Sequence, residues 1–269
     1  MFDDIIHRRI GSPYTLHVEK LHSPRRPRAT VVLIHGIGSS TLMWHNLARD
    51  LPADIRVVAI DLLGFGKSPD PEWAKYDAPT QAKSLIKTLV LHRVPLGSIF
   101  VGHSLGALVI VEMARRIPRY PSRIMLISPP IYRPSRQKVV ATQQEDVLRG
   151  IYKILQRYPK NTERALKLAK QYYVRRSGQL VAPVINVNSY LGTLESAIIN
   201  QDTINHIADV RAPISILSGS RDPVVVRKNL VALKSASPRI TYTVVKGGGH
   251  NVIGAMKVAA IEEIKALLC

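Results

Sequence analysis

Apolar and polar positions along the chain form two recurring patterns. Seven short runs rich in β-branched residues lie at 15–19, 30–34, 56–60, 98–101, 123–127, 214–217 and 240–245. Several are almost continuously apolar, which is typical of strands covered on both faces. Between them, residues 81–92, 105–116 and 257–268 carry apolar side chains at three- and four-residue spacing, which predicts amphipathic helices. Strands that alternate with helices predict an α/β protein with a mostly parallel sheet.

The alternation stops between residues 132 and 206. Helical patterns at 139–157, 162–174 and 193–206 follow one another there, over a length greater than that of a normal loop. We interpret residues 132–206 as a helical cap inserted into a core of residues 1–131 and 207–269. The cap holds six of the ten tyrosines, among them Tyr132, which is a candidate pocket residue.

The most specific motif is Gly102-His103-Ser104-Leu105-Gly106, between an apolar strand pattern and a helical pattern. A serine on a sharp strand-to-helix turn needs flanking glycines because the backbone approaches other atoms closely. The turn presents the hydroxyl at the carboxyl edge of the sheet, near the positive end of the next helix. The motif predicts Ser104 as a nucleophile. Its neighbour His103 is expected to pack or form a hydrogen bond, and it is a second candidate pocket residue.

A serine nucleophile needs a histidine to accept its proton and an acid to orient that histidine. Asp222 follows the run at 214–217, and His250 lies in a glycine-rich loop after the run at 240–245. The chain order Ser, Asp, His is typical of one serine-enzyme architecture. The competing position for the acid, after the preceding strand, reads Ile127-Ser128-Pro129-Pro130 and holds no carboxylate. We therefore predict Asp222 as the acid and His250 as the base.

Two backbone amides are predicted to stabilise a developing oxyanion. The segment His35-Gly36-Ile37-Gly38 follows a strand and should supply the N–H of Ile37, while the turn after Ser104 should supply that of Leu105. His35 itself is expected to hold this loop rather than to transfer protons.

Residues 61–68 end like a phosphate-binding loop, but the first glycine of that motif is replaced by Asp61. Pro69 and Pro71 also prevent the helix whose N-terminus would bind phosphate. We therefore predict a turn beside the active site, with Phe65 as a third candidate pocket residue. The nine histidines are scattered, with no zinc signature, so no metal and no cofactor are expected.

Composition sets the broad class of the protein. The single cysteine, Cys269, excludes an intrachain disulfide. No apolar run approaches membrane-spanning length, so we expect a cytoplasmic protein without membrane insertion. The net charge of +19 is dispersed in small clusters without interleaved aromatic residues, so a nucleic-acid partner is not expected. No oligomeric state is predicted.

Together, residues 35–38, 61–68 and 102–106, with Asp222 and His250, resemble the α/β-hydrolase superfamily, and especially its esterase-like members with a helical cap. The resemblance begins at about residue 30 and continues to the C-terminus. It implies a mostly parallel eight-stranded sheet flanked by helices, with the cap after the sixth strand. It also implies that Ser104, Asp222 and His250 form a catalytic triad and that Ile37 and Leu105 are the oxyanion donors.

Departures from related classes narrow the expected reaction. Ser104 argues against haloalkane dehalogenases and epoxide hydrolases, which have aspartate at that position. Carbon–carbon bond hydrolases often have asparagine and tryptophan where this chain has His103 and Asn251. We expect a serine esterase that cleaves a small to medium hydrophobic carboxylic ester or lactone. The alternatives are carbon–carbon hydrolysis, acyl transfer or haloperoxidase-like chemistry on the same triad, and a ligand-binding member without catalysis.

Overall fold

The computed structural model describes residues 4–133, 150, 152–158, 161–168, 171 and 186–269. Within these ranges, one sheet is formed by seven strands: β1 (Val18–His22), β2 (Thr30–Ile34), β3 (Arg56–Ile60), β4 (Ser98–His103), β5 (Pro121–Ile127), β6 (Ile214–Gly219) and β7 (Ile240–Val245). Their order across the sheet is β1-β3-β2-β4-β5-β6-β7. Only β1, at one edge, pairs antiparallel; every other pair is parallel.

The predicted α/β class and the mostly parallel sheet are confirmed. Each of the seven predicted runs overlaps one strand, and the runs at 30–34, 56–60 and 240–245 have the observed bounds. The resemblance implied an eighth strand, whereas the described part of the chain has seven. The segment before β1 uses its amides on side chains instead: Leu16 donates to Thr88 Oγ1 and His17 to Ser68 Oγ. These bonds replace strand pairing, so β1 begins at Val18 rather than at residue 15.

Helices cover both faces of the sheet. Outside residues 134–185, the α-helices are α1 (His45–Ala48), α2 (Ala78–Leu91), α3 (Leu105–Arg116), α4 (Val187–Thr193), α5 (Thr203–His206), α6 (Arg227–Ala236) and α7 (Ala255–Leu267). Short π-helical segments occur at Asp4–Arg9 and Leu194–Ile199, and 3₁₀ turns at Thr41–Trp44 and Ile207–Asp209. Alternate strand residues enter opposite cores: Val32 packs with α2 and α3, while Val31 packs with α1 and α7.

The proposed cap falls partly outside the described residues. Of the helices predicted at 139–157 and 162–174, the structure describes helical residues at 150, 152–157, 161–168 and 171. The third prediction, 193–206, overlaps α4, the adjoining π-helical segment and α5. The domain boundaries at 132 and 206 stay a prediction. In the portions described, no helix is long and apolar enough to cross a membrane.

Close packing of α3 on β2 depends on Gly106. A Cβ there would lie 2.4 Å from the carbonyl oxygen of Ile34 and 2.7 Å from that of His35, both rigid backbone atoms. We expect Gly106→Ala to lower the free energy of unfolding by about 1–3 kcal/mol because the helix must move away from the sheet. Chemical denaturation measures the change. Gly192→Ala in α4, whose Cβ would meet only a Tyr76 ring carbon at 3.4 Å, is the matched control and should be neutral or stabilising. Equal stability of the Gly106 variant and the wild type would contradict the prediction.

Candidate active site

Ser104 lies at a sharp turn between β4 and α3, which we call the elbow (residues 102–106). Its backbone has φ 50° and ψ −115°, a conformation that non-glycine residues rarely adopt. The Ser104 N–H donates to the carbonyl of Ile127 on the adjacent β5 at 2.9 Å, which helps to hold the turn. The side chain therefore leaves the carboxyl edge of the sheet next to the N-terminus of α3.

The structure brings Ser104, His250 and Asp222 into one hydrogen-bonded chain. His250 Nε2 is 3.1 Å from Ser104 Oγ, and His250 Nδ1 is 3.0 and 2.9 Å from the two carboxylate oxygens of Asp222. Because a carboxylate only accepts, Nδ1 carries the proton and Nε2 is left to accept from the serine hydroxyl. The Asp222 carboxylate is fully buried, whereas the His250 side chain is 21% exposed.

The surroundings of Asp222 keep it ionised. Burial by itself would raise the pKa of this carboxyl group, but the hydrogen bond and charge of His250 and the N–H of Val224 lower the pKa below its usual value. Asp222 Oδ1 accepts from Val224 N at 2.9 Å and from Val225 N at 3.2 Å. An ionised, fixed carboxylate orients the imidazole and stabilises a positive charge on it.

The aspartate loop (residues 220–226) and the histidine loop (residues 246–254) are bonded directly to each other. Arg221 N donates to Gly248 O at 2.8 Å, and Gly247 N donates to Ser220 Oγ at 2.9 Å. The loops also approach closely, because a Cβ on Gly219 would lie 2.3 Å from Gly248 O. The distance between Asp222 and His250 is therefore fixed by backbone contacts as well as by their own hydrogen bonds.

Of the two amides predicted as oxyanion donors, that of Leu105 belongs to the elbow and that of Ile37 follows Gly36, where a Cβ would lie 3.1 Å from Ser104 Cβ. Leu105 is the first residue of α3, so its N–H has no partner within the helix. Among the described residues, neither the Leu105 N–H nor the Ile37 N–H donates a hydrogen bond. The loop that carries Ile37 is held by His35, whose Nδ1 donates to Gly36 O at 2.7 Å and whose Nε2 accepts from Leu62 N at 2.9 Å. Burial lowers the pKa of His35, so it stays neutral in this role.

A model of the alpha/beta hydrolase family matches residues 31–260, which is most of the chain. The chain belongs to the alpha/beta hydrolase family. The matched region includes the elbow, residues 35–38, Asp222 and His250, so the resemblance to this family is confirmed.

Proteins similar to this chain show the breadth of the family. The chain is 22% identical to the probable lysophospholipase BODYGUARD 5 of Arabidopsis thaliana, covering 88% of this chain but only 61% of the relative. An esterase from Exiguobacterium antarcticum has a TM-score of 0.77 at 15% identity, covering 94% of this chain and 95% of the esterase. A bromoperoxidase from Bacillus anthracis has a TM-score of 0.74 at 18% identity, covering 94% of each chain. Such structural likeness shows the fold alone.

Asp61 has a role that sequence reasoning missed. Its carboxylate accepts from Thr41 N at 2.6 Å and from Lys67 N at 2.9 Å, and its carbonyl accepts from Ser68 Oγ at 2.6 Å. The aspartate thus ties the turn at 61–68 to the segment that follows the Ile37 loop. The only available signal was an acid at the end of a buried strand.

The three candidate pocket residues occupy different places in the structure. Phe65 is buried, with its ring edge-on to His35 at a centroid distance of 5.9 Å. Tyr132 is buried and donates its hydroxyl proton to Val224 O at 2.9 Å, beside the aspartate loop. His103 is buried under the histidine loop, where its Nε2 is 2.9 Å from the carbonyl oxygen of His250. Contact of these side chains with a substrate stays a prediction.

The buried position of His103 makes stability depend on pH. Burial, followed by the proximity of His250, lowers the pKa of His103 to about 3 from its usual 6.5. The unfolded chain binds a proton there at the usual pKa, so stability is lost as the pH falls below 6.5. We expect this one residue to lower the free energy of unfolding by about 2 kcal/mol between pH 7.5 and pH 5.

Urea denaturation at the two pH values measures this effect. His103→Met should remove that part of the pH dependence, whereas His92→Met, at an exposed position, should retain it. An identical pH dependence in the wild type and in His103→Met would show that His103 does not resist protonation.

Proposed function

We propose that this protein is a serine hydrolase that cleaves a small to medium hydrophobic carboxylic ester or lactone. Ser104 is the nucleophile, His250 the general base and acid, and Asp222 the residue that orients His250. The observation that carries the proposal is the continuous chain from Ser104 Oγ through His250 to Asp222, with contacts of 3.1 Å and 2.9 Å. It lies beside two backbone amides, those of Ile37 and Leu105, that have no acceptor among the described residues.

In the first step, Ser104 Oγ attacks the ester carbonyl carbon while its proton moves to His250 Nε2. The carbonyl oxygen becomes an oxyanion that accepts from the N–H groups of Ile37 and Leu105. When the intermediate collapses, the bond from carbon to the alcohol oxygen breaks, and His250 gives its proton to the departing alcohol. The products are a free alcohol and an acyl group on Ser104.

In the second step, water attacks the acyl carbon and passes a proton to His250 Nε2. The bond from the acyl carbon to Ser104 Oγ then breaks, and the serine oxygen takes the proton back. A carboxylic acid leaves and the free enzyme is restored. Asp222 stays ionised throughout and stabilises the imidazolium in both steps.

The apolar character of the residues around the site favours a hydrophobic substrate. Ile131 and Tyr132 follow β5, Val225 and Val226 follow Asp222, and all four are buried in the same core as Leu105. Apolar walls with a few placed polar groups are typical of small-molecule pockets. The esterase and lysophospholipase names of similar proteins are in keeping with an ester substrate.

Removal of the nucleophile tests the proposal. We expect Ser104→Ala to lower kcat for a p-nitrophenyl acyl ester by about 10⁴-fold or more, because no other group forms the acyl-enzyme. A fluorophosphonate probe should label the wild type and not the variant. Ser235→Ala, on the exposed side of α6, is the control. Wild-type turnover by Ser104→Ala would overturn the proposal.

Removal of the carboxylate charge separates orientation from binding. Asp222→Asn retains the shape of the side chain but no longer favours the tautomer that leaves Nε2 free to accept. We expect kcat to fall by about 10⁴-fold with KM changed much less. Asp209→Asn, at an exposed turn, is the control. Steady-state kinetics on the same ester provide the measurement, and a kcat within a few fold of wild type would show that another group orients His250.

A further inference from the structure

The histidine loop is held unequally on its two sides. Toward the aspartate loop, it is fixed by the two hydrogen bonds from Arg221 N and Gly247 N, by those between His250 Nδ1 and Asp222, and by the close contact of Gly219 with Gly248. Toward the elbow, the described residues form only two hydrogen bonds. One joins His250 Nε2 to Ser104 Oγ at 3.1 Å, and the other joins His103 Nε2 to His250 O at 2.9 Å.

The first of these two bonds does not survive the proposed reaction. Once Ser104 carries the acyl group, its Oγ has no proton to donate, so it no longer holds His250. The second bond uses the main-chain carbonyl of His250 and leaves the imidazole free. It is therefore the hydrogen bond that still joins the elbow to the histidine loop while water must be activated.

We propose that His103 is a positioning residue, which holds the His250 imidazole over the acylated Ser104 through a hydrogen bond to the His250 carbonyl. This inference rests on the proposed function. His103 does not touch the reacting atoms; it sets the distance between the base and the acyl carbon. Displacement of a catalytic group by about 1 Å can slow a reaction by about 10²-fold, so one fixed bond is sufficient to matter.

The chemical state of His103 fits this role. Its Nε2 faces a carbonyl oxygen, which only accepts, so Nε2 carries the proton and Nδ1 carries the lone pair. Nδ1 is buried and has no hydrogen-bond partner among the described residues; it lies beside Gly36, where a Cβ would be 2.7 Å away. A buried nitrogen without a hydrogen-bond partner destabilises the folded state, and an apolar side chain would fill the site without that cost. The presence of histidine at this position is explained by the hydrogen bond that its Nε2–H donates to the His250 carbonyl.

The test compares two substitutions of His103 whose side chains have nearly the same length. Glutamine places its amide Nε2 as many bonds from the backbone as the Nε2 of histidine, so His103→Gln retains a donor, while His103→Met removes it. We expect His103→Met to lower kcat by about 10- to 100-fold, with KM falling alongside so that kcat/KM changes much less, and His103→Gln to recover most of the loss in kcat. Because deacylation is affected most, pre-steady-state kinetics on a p-nitrophenyl ester should show more acyl-enzyme in the methionine variant.

Controls separate this inference from the proposed function. His92→Met, exposed at the end of α2, should have wild-type kinetics. If Ser104→Ala is inactive while His103→Met turns over like the wild type, the positioning role is wrong and the function stands. If the glutamine and methionine variants are equally slow and equally stable, His103 acts only by packing, which also overturns the inference. Wild-type activity of Ser104→Ala would overturn the function itself.

NMR of the wild-type protein tests the same hydrogen bond even where a variant does not fold. The ¹⁵N shifts of the imidazole nitrogens report which one carries the proton. We expect the His103 signal to show a protonated Nε2 that exchanges slowly with water, at every pH where the protein is folded. A protonated Nδ1 in its place would exclude the bond to the His250 carbonyl and overturn the inference.

Discussion

The geometry of the site depends on one strained residue, Ser104, with its backbone at φ 50° and ψ −115°. Such a conformation costs a non-glycine residue on the order of 1–3 kcal/mol and persists only where the surrounding structure fixes it. Here the surroundings are buried parallel strands and a helix packed directly against them. The Ser104 N–H bonds to Ile127 on β5, and Gly106 allows α3 to contact the carbonyls at the end of β2. The same turn directs the hydroxyl toward His250, and the amide of Leu105 has no acceptor among the residues that the structure describes.

The order of the strands separates Ser104 from His250, so the loop after β7 must extend back toward β4. Since β5 and β6 lie between β4 and β7, the strands that precede Ser104 and His250 are about 14 Å apart at ~4.8 Å per strand. The histidine loop has to reach back across two strands. The residues at the ends of the two intervening strands are small. Gly219 ends β6 in close contact with Gly248, and the fully buried Ser128 follows β5 with φ 50°. A carboxylate at Ser128 would have placed the acid after β5, one strand closer to the nucleophile than Asp222, which follows β6.

The parts of this structure that local patterns determine could be predicted from the sequence. Periodicity located all seven described strands, and the elbow motif located the turn between β4 and α3. The start of β1 was predicted too early because the amides of Leu16 and His17 bond to side chains distant in the sequence. Asp61 was considered only as the residue that breaks a phosphate-binding pattern. Its carboxylate accepts from backbone amides, and because nearly every residue has such an amide, residue types do not reveal which ones are its partners. Chain order placed Ser104, Asp222 and His250 at one sheet edge, but distances and tautomers required coordinates.

Environment, rather than adjacency to the nucleophile, distinguishes the two histidines of the site. His103 and His250 have ring centroids only 5.1 Å apart. His103 is next to Ser104 in the chain, but it is buried, has a pKa of about 3 and uses its one proton on a carbonyl, so it is a poor acceptor for the serine proton. His250 is distant in the sequence, yet it is partly exposed and faces the ionised Asp222, which stabilises the charge that it would acquire. In the proposed mechanism, His250 transfers protons while His103 stays neutral and fixes the position of His250.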